Sequence, residues 1–331
     1  MENNAMQRFK KILCVIGAEH RANVALKHAF TLAENNQANL TVVYVIEEKP
    51  NDMEEIALGK TTEELLSEMI SAHQRRLERL TNAWSKNLNI QIKVLIGIAY
   101  LEVIHEVLRN EHDLVIKTAE NSGLLERVFG SDDMHLLRKC PCPVWLVKST
   151  SPKAYKKIMA AVDADDAYPP EELDTRHLLN IQILEMASSL AISEPAELHI
   201  VHVWQAIGES LMEGAFMRRP EEEINTYIEK VRQRQQLNLS KLIDESIEKL
   251  GSDTIRYLNP QTHLLKGYPR TTVSEFAIDM DVDLVVMGTV ARTGLSGFFM
   301  GNTAENILNQ LDCSVLAVKP PGFVTPVTLD E

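Results

Sequence analysis

The 331-residue chain carries 47 acidic and 34 basic side chains, which gives a formal net charge of −13 at neutral pH. This acidic balance argues against nucleic-acid backbones and anionic membrane surfaces as general partners, because like charges repel. The length predicts roughly two domains. The four cysteines lie in or beside apolar runs, which is typical of reduced core thiols, and no apolar run approaches the ~20 residues of a membrane span. Because residues 1–11 also lack the apolar stretch of a signal peptide, we expect a cytoplasmic protein.

The same order of strands and helices is predicted twice along the chain. In each half, short apolar runs rich in β-branched residues alternate with amphipathic helical patterns. The predicted strands are 10–17, 40–46, 90–96, 113–117 and 142–148 in the first half, and 156–163, 198–204, 262–266, 283–287 and 313–319 in the second. The main predicted helices are 23–33, 62–80, 178–191, 221–250 and 304–311. This alternation predicts an α/β fold with two doubly wound, five-stranded parallel-sheet domains, 1–150 and 151–331.

A glycine-punctuated loop follows the fourth strand of the second half. It runs from Gly288 to Thr303 and leads into a short helix and the last strand. Glycine lets the backbone pass close to a ligand, and a helix starting near Asn302 would direct N–H groups at a phosphate. A loop that only turns and caps a helix fits the same spacing, so the pattern alone leaves both interpretations open.

Gly288, the nine residues from 292 to 300, and Gly301 resemble the G-x-x-G, nine residues, G-[ST] signature of nucleotide-binding universal stress proteins. Ala291 replaces the second glycine of that signature and Asn302 replaces the Ser or Thr. With the internal duplication and the Gly-Tyr-Pro segment at 267–269, the whole chain resembles the tandem-domain type of this family. A strand–helix repeat alone would also suit flavodoxin-like domains. The resemblance implies the strand order 3-2-1-4-5 in each domain, an adenine nucleotide alpha-hydrolase-like fold.

The resemblance also implies ATP or another adenine nucleotide as ligand, with Mg²⁺ accompanying it. Ligands of such sheets bind where the strand order reverses, here between strands one and four. The matching positions are Ala161, Asp163 and Val203 for the adenosine part, and Met287, Gly288, Val290, Ala291, Gly301, Asn302, Thr303 and Ala304 along the loop and phosphates. Asp163 lies in an acidic stretch, so a turn-capping role is its alternative interpretation.

The first half differs at the corresponding places. Gly17 stands where Asp163 stands, and Lys117-Thr118 stand where Met287-Gly288 stand. Lys117 either anchors another anion or pairs with Asp113 or Glu120 and fills an unused pocket. We therefore expect at most one adenine nucleotide per chain, in the second half.

Other signals for chemistry are weak. Gly59-Lys60-Thr61 resembles the end of a phosphate-binding loop, but Glu54 occupies the position of its first glycine and no strand precedes it. His199 and His202 are predicted to share one face of a strand, either as core residues or as a metal pair. No catalytic residue and no protein-bound metal are predicted.

The resulting hypothesis is a cytoplasmic tandem universal stress protein with a regulatory or protective role in the stress response. Two alternatives are a slow nucleotide hydrolase, with Asp163 or Asp166 as metal contacts, and a non-nucleotide small-molecule binder or protein-interaction scaffold. The halves are expected to form a pseudo-dimer through their last strands, with the tail 320–331 lying across the other half. A homodimer is a further expected assembly.

Overall fold

The computed structural model describes residues 9–17, 23–47, 59–84, 88–120, 129–213, 219–289 and 300–329. The chain divides into two compact units. The first contains residues up to Ala154 together with 313–317 and 323–331, and the second contains 155–312 and 318–322. Within the described ranges, none of the helices combines the length and apolar character needed to cross a membrane.

The first unit is a mostly parallel sheet with the strand order β3-β2-β1-β4-β5. Its strands are β1 (Lys11–Val15), β2 (Asn39–Ile46), β3 (Ile90–Ile96), β4 (Leu114–Thr118) and β5 (Val144–Val147), and its helices are α1 (Asn23–Asn36), α2 (Thr62–Thr81), α3 (Ala99–Asn110) and α4 (Ser131–Lys139). β1, β4 and β5 are buried along almost their whole length, as expected of central parallel strands. Val15 pairs with Lys117, so the carboxyl ends of β1 and β4 are neighbours.

The last strand of the sequence, β10 (Ser314–Val318), also belongs largely to this unit. It runs antiparallel to β5, with Val315 opposite Leu146 and Ala317 opposite Val144. The predicted pairing of the two last strands is therefore confirmed. Residues 323–329 of the tail are also part of the first unit.

The second unit repeats the order as β8-β7-β6-β9. Its strands are β6 (Lys157–Val162), β7 (Glu197–Trp204), β8 (Gln261–Lys266) and β9 (Leu284–Gly288), and its helices are α5 (Pro170–Ser193), α6 (Glu209–Glu213), α7 (Glu221–Leu250), α8 (Ser252–Leu258), α9 (Pro269–Asp279) and α10 (Asn302–Leu308). The Thr289 N–H, just after β9, donates to the Val318 carbonyl (3.2 Å). The end of β10 therefore lies next to β9 in the sheet. The predicted fold class and the order 3-2-1-4-5 are confirmed.

Local sequence explains where several helices begin. Thr61 and Glu64 form a capping box at the start of α2, so Gly59-Lys60-Thr61 is a helix entry. α7 follows Pro220 and carries Glu221–Glu223 in its first turn, where acidic side chains favour the helix dipole. α5 begins at Pro170, well before the predicted Leu178, because proline is favourable in the first turn of a helix.

Candidate functional site

The backbone of Asp163, just beyond β6, is fixed by Asn180 of α5. The Asp163 N–H donates to Asn180 Oδ1 (2.9 Å), and Asn180 Nδ2 donates to the Asp163 carbonyl (2.7 Å). Asn180 is buried, so one amide satisfies both backbone groups without water. In the sheet register Ala161 lies opposite Met287, so Asp163 and Gly288 follow neighbouring strands. The structure thus brings these two predicted positions to the same edge of the sheet.

The Asp163 carboxylate is held by two side chains that the sequence did not indicate. Its Oδ2 accepts from the Tyr168 hydroxyl (2.7 Å) and from Arg176 Nη1 (3.1 Å). The Arg176 guanidinium lies 3.5 Å from the centre of the Tyr168 ring and also pairs with Glu172. Burial, together with the Asp163 charge, raises the pKa of Tyr168, so this hydroxyl remains a donor. The Asp163 side chain is still 44% exposed and stays accessible to a ligand.

Helix α7 anchors the loop that follows Asp163. Gln235 Nε2 donates to Asp165 Oδ1 (3.0 Å), and Arg234 pairs with Asp166 (2.9 Å). Partial burial alone would raise the pKa of Asp166, but the Arg234 guanidinium outweighs it and lowers that pKa. Asp163 and Asp166 are therefore each paired with an arginine through Oδ2, which lowers the negative charge that they offer to a metal ion.

Thr289 connects the two ends of the predicted ligand loop. Its carbonyl accepts from the Gly301 N–H (3.0 Å), and its hydroxyl accepts from Lys319 Nζ (3.0 Å). Both Thr289 and Lys319 are buried. The glycines at the two ends of the signature, Gly288 and Gly301, are therefore held close together, whereas Val290 and Ala291 lie outside the described residues.

Gly288 has a packing reason to be glycine. A Cβ atom built there would lie 2.7 Å from Leu179 Cδ2, far inside van der Waals contact. Leu179 comes from α5 and is itself buried. A side chain at Gly288 would therefore force the Leu179 side chain to move, which gives this glycine a packing role independent of any ligand.

The remaining predicted positions differ in accessibility. Met287, Val203 and Ala304 are buried, whereas Asn302 and Thr303 are exposed. Gly301 occupies the N-cap of α10 and Asn302 is its first helical residue. The predicted start of a helix near Asn302 is therefore confirmed.

In the first unit the corresponding crevice is filled by an ion cluster. Lys117 Nζ pairs with Glu120 and with Asp133 Oδ1 (2.6 Å), and the Glu120 N–H donates to Asp133 Oδ2 (2.7 Å). Lys117 and Asp133 are buried. Burial alone would lower the pKa of Lys117, but the two carboxylates outweigh it and raise that pKa. Of the two roles predicted for Lys117, the structure therefore shows the second, in which the lysine pairs with carboxylates of its own unit. Its partners are Glu120 and Asp133, while Asp113 instead accepts from the backbone of Lys10.

The Glu120 side chain also covers Gly130, the N-cap of α4. A Cβ atom at Gly130 would overlap that side chain. At the end of β1, the Gly17 carbonyl accepts from Arg76 Nη2 (3.2 Å). The first unit therefore places its own carboxylate against the glycine that corresponds to Gly301, since both glycines are the N-caps of corresponding helices.

The two strand histidines lie on opposite faces of β7, which corrects the expectation of a shared face. His199 contacts His263 of β8 (Nδ1 to Nε2, 3.1 Å), whereas His202 contacts Gln235 of α7 (3.0 Å). They are three residues apart, and strand side chains alternate, so the two point apart. They do not form a metal pair.

The architecture defines a tandem pair of doubly wound α/β domains with glycine-led helix starts at the carboxyl ends of their strands. Residues 8–148 and 173–319 both match the universal stress protein family. The chain belongs to that family.

The similar proteins and structures cover between 73% and 97% of the chain. Universal stress protein E of Photorhabdus laumondii is 26% identical over 335 residues, covering 97% of this chain and 98% of its own. Universal stress protein E of Escherichia coli K12 is 33% identical over 244 residues, covering 73% and 72%. The crystal structure of a functionally unknown protein from Pseudomonas aeruginosa PAO1 is 26% identical, with a TM-score of 0.66 over 96% of this chain and 95% of that chain. A universal stress protein from Archaeoglobus fulgidus shares the fold at 15% identity, with a TM-score of 0.61 over 94% and 99%.

Proposed function

We propose that the second unit binds an adenine nucleotide such as ATP through Asp163, and that the protein is a cytoplasmic regulator or protectant in the stress response. The observation that carries this proposal is the Asp163 carboxylate, held beside Gly288 at the reversal of strand order and still 44% exposed. Whole-length similarity to proteins named universal stress protein E supports the stress role.

The surrounding residues suit the parts of such a ligand. A fixed, accessible carboxylate accepts hydrogen bonds from ribose hydroxyls or from an amino group. The hydrogen bond between Thr289 and Gly301 holds the loop ends where phosphates would lie, and buried Lys319 adds a cation at that end. Mg²⁺ would enter with the phosphates, since it binds through substrate phosphates and retains water.

We also propose that the two family domains associate as a pseudo-dimer within one chain. The antiparallel β5–β10 pair supports this arrangement. A homodimer through another surface would be an additional assembly.

One observation favours the alternative of a non-nucleotide small molecule or a scaffold role. The Leu179 side chain lies directly beside the position of a Cβ atom at Gly288, which leaves less room for a nucleotide at that glycine. The slow-hydrolase alternative is less favoured, because Asp163 and Asp166 are each held by an arginine.

Calorimetric titration of the full chain with ATP, ADP and AMP tests the proposal. Asp163→Ala should weaken binding about ten- to a hundred-fold, the value of about 1.5–3 kcal/mol for a hydrogen bond to a charged group. Tyr168→Phe is the matched control, because it removes one contact to Asp163 but keeps the carboxylate. Equal affinity of wild type and Asp163→Ala would remove Asp163 from the site. Phosphate release from ATP above a blank would favour the hydrolase.

A further inference from the structure

We propose that Cys140 and Cys142 form a modification site, a dithiol that closes reversibly to a disulfide when the protein meets a peroxide. The two sulfur atoms, separated in sequence by Pro141, lie 3.6 Å apart. Both residues are thiols in this structure. The site is in the first unit and does not depend on the nucleotide proposed for the second.

The backbone holds both thiols in this position. The Cys140 N–H donates to the Leu136 carbonyl (2.9 Å) at the end of α4. On the other side, the Pro143 carbonyl accepts from the Val115 N–H of β4 (3.0 Å), immediately before β5. A disulfide is about 2.05 Å long, so the sulfur atoms have to approach by only about 1.5 Å. The short Cys-Pro-Cys segment can supply that movement through side-chain rotation and a small adjustment at Pro141.

Burial determines how the pair reacts. Cys140 is fully buried and Cys142 is 7% exposed, so the first attack falls on Cys142 and requires a small oxidant. The hydrogen bond with Cys140, together with burial, raises the pKa of Cys142 well above its usual value. The reactive thiolate is therefore scarce at neutral pH, and oxidation should be slow and should accelerate as the pH rises. Proximity then decides the product, because the second sulfur is already in contact.

The chemistry balances with hydrogen peroxide as the oxidant. The Cys142 thiolate attacks one peroxide oxygen, which breaks the O–O bond and gives a sulfenic acid and hydroxide. The Cys140 thiol then attacks the Cys142 sulfur, forms the S–S bond and releases the sulfenic oxygen as water. In total, two thiols lose two electrons and two protons, and one peroxide becomes two waters. An external dithiol reverses the reaction by exchange.

Peptide mapping by mass spectrometry after peroxide treatment, denaturation and alkylation of the full chain tests this proposal. We expect one disulfide per chain, joining Cys140 to Cys142, with a mass lower by two hydrogen atoms and complete reversal by dithiothreitol. The double variant Cys14→Ser/Cys313→Ser is the control and should give the same product. In Cys140→Ser the disulfide should disappear and Cys142 should proceed to sulfinic acid.

Three outcomes would overturn the proposal. The first is a disulfide that joins either residue to Cys14 or Cys313. The second is that Cys140 and Cys142 both remain open to alkylation after peroxide treatment and denaturation, whether or not Cys313 is oxidised. The third is sulfinic acid forming at Cys142 in wild type as fast as in Cys140→Ser. The wild-type peptide map decides the proposal even if a variant fails to fold.

Discussion

The two units place the same backbone pattern at the carboxyl ends of their strands and surround it with opposite polar arrangements. In the first unit, Lys117 lies beside β1 and is neutralised by Glu120 and Asp133, with the Glu120 side chain over Gly130. In the second unit, uncharged Met287 takes the position of Lys117, and the carboxylate of Asp163 remains partly exposed. In the first unit the charged groups pair with one another, whereas in the second unit the Asp163 carboxylate remains accessible to solvent.

The difference shows that corresponding strand ends of two repeated domains can hold either a buried ion cluster or a partly exposed carboxylate. A buried ammonium is costly unless it is paired, and removing one partner from such a pair is strongly destabilising. A buried Lys117 therefore needs a carboxylate of the same unit close to it. Glu120 meets this need, and the place of an external anion is then occupied by the protein.

The largest effect is expected from Lys117→Met. The substitution leaves Asp133 buried without its cation, so the first unit should lose about 3–5 kcal/mol of stability. Urea unfolding followed by hydrogen exchange of first-unit peptides measures this loss. Glu120→Gln is the control and should cost only about 1 kcal/mol or less, because Glu120 is 40% exposed. A Lys117→Met protein as stable as wild type would show that the cluster does not stabilise the unit.

A smaller effect is expected from Gly288→Ala in the second unit. The new methyl group meets Leu179, and overpacking of this kind costs about 1–3 kcal/mol. A double-mutant cycle with Leu179→Ala should recover most of that cost as coupling energy. Gly17→Ala is the matched control in the first unit, because a Cβ atom there meets nothing within 4 Å. Equal costs for the two glycine substitutions would contradict the packing explanation.

The smallest effect concerns the His199–His263 pair. Burial lowers the pKa of both rings, and Glu197 partly opposes this at His199. The unfolded chain therefore binds more protons than the folded chain just below the ordinary histidine pKa of about 6.5, so stability is present above that pH and is lost as the pH falls. Urea unfolding at pH 7 and pH 5 should show a smaller acid-induced loss in His263→Gln than in wild type. An identical loss in both proteins would exclude the pair as its source.

The strands and their order were predictable from sequence because central parallel strands are continuously apolar. β3 lies at the predicted residues, and α7 begins at the predicted Glu221 after Pro220. The start of α5 was not predictable, because residues 163–177 are polar and acidic and hide the turn at Pro170. The unpredicted start also concealed Arg176, which lies in the part of α5 before the predicted Leu178 and reaches Asp163 from there.

The candidate site was predictable only in part, because the apolar pattern locates strand ends but does not show which distant side chains meet there. Asp163 and Gly288 follow from strand ends, which the pattern of apolar residues locates. Glu120 was a predicted partner of Lys117, but Asp133 lies sixteen residues further along and joins the cluster through α4. The packing of Leu179 against Gly288 was not predictable either, because Leu179 lies more than a hundred residues away in the sequence. Tertiary contacts of this kind leave no local signal in the sequence.

Native mass spectrometry of the full chain titrated with ATP tests the asymmetry between the units most directly. The account predicts at most one nucleotide per chain, lost in Asp163→Ala and retained in Glu120→Gln, which alters the first crevice without removing its buried pair. Gly17→Asp, which adds the missing carboxylate to the first unit, should leave the count at one because the Lys117 cluster still fills that crevice. Two equivalent nucleotides in wild type, or a single nucleotide that survives Asp163→Ala and disappears in Glu120→Gln, would contradict it.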